Sequence, residues 1–90
     1  MILLISYDLL GHERPSAYEA VKEVIEGSAN SWKKPLYSQW FVETTDTVET
    51  WSERLKEVMD KGDKLLVIKV QAPYQGWLPK EIWPWLKERV

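Results

Sequence analysis

The run Met1-Ile2-Leu3-Leu4-Ile5-Ser6-Tyr7-Asp8 decides how this chain folds. Apolar side chains fall on both faces of an extended reading, so the segment belongs inside a sheet that is covered from both sides. It ends on an acid, Asp8. A carboxylate placed where a buried strand leaves the core is a common position for a metal ligand or a catalytic group. The run is too short to cross a membrane, and it carries neither the basic flank nor the small-residue cleavage site of a secretion signal. The expectation is a cytoplasmic chain without a membrane partner.

Around that strand the pattern alternates between strand and helix. After the loop Asp8–Pro15, a helix is predicted with Ser16 as N-cap and Glu19 completing a capping box. Tyr18, Val21, Val24 and Ile25 form its apolar face, and Gly27 is the expected stop. Ala29 to Lys33 reads as a short edge strand, since Pro35 is tolerated only at an edge or in a turn. Ser38 to Thr44 is rich in aromatic and β-branched residues and reads as a strand, with Trp40 and Val42 on one face. A second helix is expected from Asp46 or Thr47, capped by Asp46 with Glu49 and ended by Lys61 and Gly62. Its stripe is Val48, Trp51, Leu55, Val58 and Met59. Lys64 to Val70 is another near-continuous apolar strand. In the tail, Leu78, Ile82, Trp85 and Leu86 share a helical face, with Pro79 a possible first residue and Pro84 forcing a kink or a later start near Trp83.

The order β-α-β-β-α-β followed by a helix predicts an α+β, ferredoxin-like sandwich: a four-stranded antiparallel sheet with an extra C-terminal helix. Ninety residues make one domain, spanning residues 1–90. At this length a chain hides only about 60–65% of the surface its unfolded form exposes. Strand 1 and the strand Lys64–Val70 are both apolar on two faces, so the face away from the main helices needs the Trp-rich tail, a second subunit, or both. A face-to-face or edge-to-edge homodimer is therefore expected.

Several function classes are excluded or disfavoured by composition. With no cysteine there is no thiolate zinc site, disulfide frame or thiol nucleophile. The net charge of −2 gives no global basic field for nucleic acid. There is no Ser-His-Asp order, phosphate-cradling glycine loop, HExxH or EF-hand pattern.

Four stretches resemble a known group: Leu4-Ile5-Ser6-Tyr7-Asp8-Leu9, Tyr18-Glu19-Ala20-Val21-Lys22, Leu36-Tyr37-Ser38-Gln39-Trp40-Phe41-Val42 and Gly62-Asp63-Lys64-Leu65-Leu66-Val67-Ile68-Lys69. With Trp77-Leu78-Pro79 and Trp85-Leu86, they make the chain similar to the Cas2-like superfamily, most of all to its SinR-like branch, which is related to CRISPR-associated Cas2 and VapD-type proteins. The resemblance implies a ferredoxin-like homodimer. In the nucleases of that superfamily the acid ending strand 1 lies near the dimer axis, and the two copies hold a divalent metal that activates water. The matching position is Asp8. The chain departs from nucleic-acid-binding Cas2 proteins in its acidic balance and in lacking an arginine-rich second strand.

Two readings of the function follow. In the first, a small Cas2-like, SinR-like dimer acts as a non-catalytic interaction module for a protein or small effector. In the second, it is a metal-dependent nuclease of RNA or DNA, with Asp8 of each subunit on magnesium or manganese as a hard oxygen ligand. Asp8 is otherwise an acid capping the turn after strand 1. His12, the only histidine, is a catalytic candidate as general base or phosphate contact, or a solvated loop residue. Arg14, Lys33 and Lys34 are the nucleic-acid-binding candidates, or ordinary solubilising charge. Of six tryptophans, Trp32, Trp40 and Trp77 are interface candidates, although Trp40 also sits at core spacing.

Overall fold

The computed structural model describes residues 1–10 and 15–90. His12 and Arg14 lie outside the described residues. The elements are β1 (Ile2–Asp8), α1 (Pro15–Ser28), β2 (Ser31–Leu36), β3 (Gln39–Glu43), α2 (Val48–Lys56), β4 (Lys64–Val70) and α3 (Ile82–Arg89). The strands form one four-stranded sheet in the order β2-β3-β1-β4, and the pairs β2–β3, β3–β1 and β1–β4 are all antiparallel. The chain is thus α+β, with each β-α-β unit bracketing a strand of the other.

Strand β1 lies in the sheet interior, as its apolar run requires. Its alternate residues Leu3, Ile5 and Tyr7 meet Trp40 and Val42 of β3, Val21 and Ile25 of α1, and Trp51 and Leu55 of α2 in the larger core. The intervening Ile2 points to the opposite face, into a smaller core with Ile82, Trp85 and Leu86 of α3. Phe41, Val70, Leu78 and Trp83 pack around that second cluster. The tail residues predicted to face inward do so.

The helix ends differ from the sequence expectations, each for a local reason. Helix α1 begins at Pro15, so Ser16 is already inside it. Proline suits the first helical position because its φ is preset and its missing N–H would have no partner there. Gly27 does not stop α1, because the Ala29 amide still donates to Ile25 O at 3.0 Å. Helix α2 is capped by Thr47, whose side chain accepts from the Thr50 amide, and not by Asp46. Asp46 pairs instead with Arg54 at 3.0 Å. Helix α2 closes at Lys56 rather than at Lys61 and Gly62; the Val58 and Met59 amides donate to Leu55 O and Lys56 O, a tighter turn that still holds both side chains against the core. Helix α3 starts at Ile82, which leaves Pro84 in its first turn, where the absent N–H does no harm. Strand β2 runs through Pro35 because it is an edge, and its register with β3 is irregular between Lys33 and Leu36.

One buried polar group ties α2 to the sheet. Thr44 follows β3 and is 3% exposed. Its hydroxyl oxygen accepts from Trp51 Nε1 at 3.1 Å and from the Asp46 amide at 3.0 Å. Thr44→Val keeps the shape and strands both donors, so it is expected to cost about 1–3 kcal/mol, read as a lower urea midpoint with an unchanged m-value.

Candidate functional site

The two faces of the sheet are covered unequally. On the helix face, α1 and α2 close over β1 and β3, and Trp40 and Val42 are fully buried. The residues of the other face follow from the register: Ile2, Leu4, Ser6 and Asp8 of β1 align with Val70, Ile68, Leu66 and Lys64 of β4. Helix α3 covers the Ile2–Val70 end of that face. Toward the Asp8 end it stays open: Leu66 is 54% exposed and Ile68 43%. Between the open strip and the tail runs an apolar groove of about 300 Å³, lined by Leu4, Phe41, Ile68, Tyr74, Leu78 and Trp83 among others. Tyr74 and Trp83 stack there with planes 2° apart. The apolar run of β4 calls for cover on both faces; in the structure it is a sheet edge with one open face.

Asp8 ends β1 at the margin of this open face and is exposed. Its cross-strand partner is Lys64, with Ser6 two residues back on the same face. The Ser6 hydroxyl is engaged by Gln39 Nε2 at 3.1 Å. No group of three or more His, Cys, Asp or Glu side chains able to hold a metal occurs among the described residues. A magnesium or manganese ion needs several oxygen ligands, commonly including carboxylates. One carboxylate facing a lysine does not fit such an ion, so the described residues of a single chain form no metal centre.

The other candidates are dispersed. Lys33 aligns with Phe41, on the open face. Lys34 lies on the helix face, its Nζ 5.2 Å from the ring centre of Trp40 and 5.4 Å from that of Tyr37. The fold therefore separates these neighbours rather than making one basic patch of them. Trp40 is buried, its Nε1 donating to Tyr7 Oη at 2.9 Å, so it presents no surface to a partner. Trp32 stands edge-on to Trp40 at 5.0 Å and is partly exposed. Trp77, by contrast, is fully exposed on the tail.

A concavity lies between the turn after α2 and the start of β4, lined by Lys56, Asp60, Asp63 and Lys64 among others. Asp63 is structural there. Its carboxylate accepts from the Leu10 amide at 2.6 Å and from the Asp60 amide at 2.8 Å, joining the loop after β1 to the turn before β4.

Leu66, Ile68, Tyr74 and Trp83 were not singled out from the sequence as a site. The signal was present in the apolar β4 run, but only the strand order shows that its second face is uncovered. No protein-family profile matches this chain, and no curated protein matches it.

The core holds a phenol with a shifted ionisation. Burial pushes the Tyr7 phenol above its ordinary value of 10.0; the Trp40 hydrogen bond opposes this, and the Tyr18 and Tyr37 phenols add slightly to it. The native state therefore keeps a proton that the unfolded chain releases near pH 10. This contribution is fully present below about pH 10 and declines as pH rises further. Tyr7→Phe, which orphans Trp40 Nε1, should cost about 1–3 kcal/mol near neutrality. It should also lose less stability than the wild type between about pH 9 and pH 11, as measured by urea midpoints.

Proposed function

We propose that this chain is a non-catalytic interaction module working as a homodimer. The strand order β2-β3-β1-β4 is read here as the ferredoxin-like, split β-α-β arrangement that the Cas2-like resemblance implies. The observation carrying the proposal is the half-covered sheet: Leu66 and Ile68 stand in solvent beside Leu4 and the apolar groove. Contiguous apolar surface on a small soluble domain marks a site of association. The acidic net charge, the separated lysines and the absence of a metal-binding cluster among the described residues favour association over phosphodiester chemistry.

A second reading, a metal-dependent nuclease of RNA or DNA, is favoured by one observation: Asp8 is exposed at the margin of the same open face. Pairing of that face could bring two copies of the acid near one axis, and carboxylates from both chains would be needed.

Light scattering on the purified chain should give the mass of two copies. Calorimetric titration with magnesium and manganese should show no binding, and the chain should leave single- and double-stranded RNA and DNA intact. Asp8→Ala should keep the dimer and change stability by less than about 0.5 kcal/mol, as expected for an exposed side chain. Metal-dependent cleavage abolished by Asp8→Ala would establish the nuclease instead.

A further inference from the structure

We propose that β4 is the dimer edge: it pairs antiparallel with β4 of a second copy about a two-fold axis at Val67, joining two sheets into one of eight strands. This rests on the homodimer reading and specifies its geometry.

The two sheet edges are built differently. The β2 edge holds Lys33, Lys34 and Pro35 and breaks register between Lys33 and Leu36. Lysine, proline and irregularity are the devices that keep an edge from pairing. The β4 edge carries Lys64 and Lys69 but no proline and no break in register. It is a regular seven-residue strand, in continuous register with β1 from Lys64 to Val70. Between Lys64 and Lys69 lie four uncharged residues, Leu65-Leu66-Val67-Ile68. Among the described residues, β1 is the only strand paired with β4, so its outer N–H and C=O groups face away from the sheet.

Side-chain pattern and charge select a second copy as the occupant. Antiparallel pairing about Val67 is the one register that engages all of Lys64–Val70 in both chains. It sets Leu66 opposite Ile68 twice, once on each side of the axis, so the exposed apolar residues of β4 cover each other. Lys64 meets Val70 and Lys69 meets Leu65, so no lysines oppose. Opposed residues share a sheet face, and this register keeps the open faces of both copies on one side. A slip of one residue in either direction turns the faces to opposite sides, and in one direction it also sets Lys64 against Lys69 at each end. Directly opposed like charges destabilise a strand pair. Such a two-fold contact is self-complementary, as a closed dimer requires.

The register makes a charge-swap test possible at two exposed positions. In light scattering, Leu66→Lys with Ile68→Lys places introduced lysines directly opposite one another across the axis, and the mass should fall from two chains to one. Leu66→Glu with Ile68→Lys places opposite charges there, and the mass should return to two. Circular dichroism should show the same fold in both.

The chain lacks cysteine, which allows a second, independent test. Val67→Cys sits on the axis, where opposed Cα atoms lie about 4.5–5.5 Å apart, within disulfide reach. It should oxidise to a covalent dimer. Leu65→Cys should not, because its two copies would be about 13 Å apart at ~3.3 Å per residue. If the two charge variants behave alike in a dimeric protein, or if Leu65→Cys cross-links as well as Val67→Cys, the edge pairing is overturned while the homodimer stands. A monomeric wild type overturns both.

Discussion

The structure depends on the need to cover β1 twice. Leu3, Ile5 and Tyr7 demand one roof and Ile2 demands another, so the sheet that holds this strand must have cores on both sides. The first is supplied by α1 and α2, whose apolar stripes meet β1 and β3 directly. The second comes from α3, an eight-residue helix that reaches the sheet through Ile82, Trp85 and Leu86. A helix of that length spans about 12 Å at 1.5 Å per residue, too short to roof a sheet face. The open strip at Leu66 and Ile68 is the consequence of that mismatch in extent.

Within the larger core, the indole N–H groups have fixed partners. Trp40 donates to Tyr7 and Trp51 donates to Thr44, so each buried tryptophan brings its own polar requirement and finds it met on a neighbouring element. The first bond links β1 to β3, and the second links α2 to the end of β3. These contacts make the core directional rather than merely apolar. Arg54 does related work at the margin of this core and Arg89 at that of the smaller one, each guanidinium lying over a tryptophan ring (Trp51 at 4.9 Å, Trp85 at 4.5 Å) while reaching Asp46 and Glu43 respectively. Aromatic surplus in this chain is thus largely a packing device, with Trp77 the clear exception.

The polar end of β1 has a different character. Asp8 faces Lys64, and Ser6 is held by Gln39. Opposed polar residues of this kind are ordinary at the wet end of a strand. Association through the apolar surface next to it needs no chemistry from Asp8, and the two properties are separable on physical grounds.

Much of this architecture was legible in the residues themselves. The interior placement of β1, the apolar stripes of α1 and α2, the pairing of Trp40 with Val42 on one face, and the inward side of the tail all follow from periodicities of two and 3.6, which are local. Helix ends were less legible because capping is decided among competing neighbours: Thr47 took the cap and left Asp46 to Arg54. The character of β4 could not be read at all from its own composition, which resembles that of β1. One run became the interior of the sheet and the other its edge because strand order is set by which non-local partners close the core, and a period-two pattern carries no record of its neighbours. The sequence by itself determined which side chains had to be hidden; the tertiary structure decided which remained in water, because α3 is too short to cover what the sheet exposes.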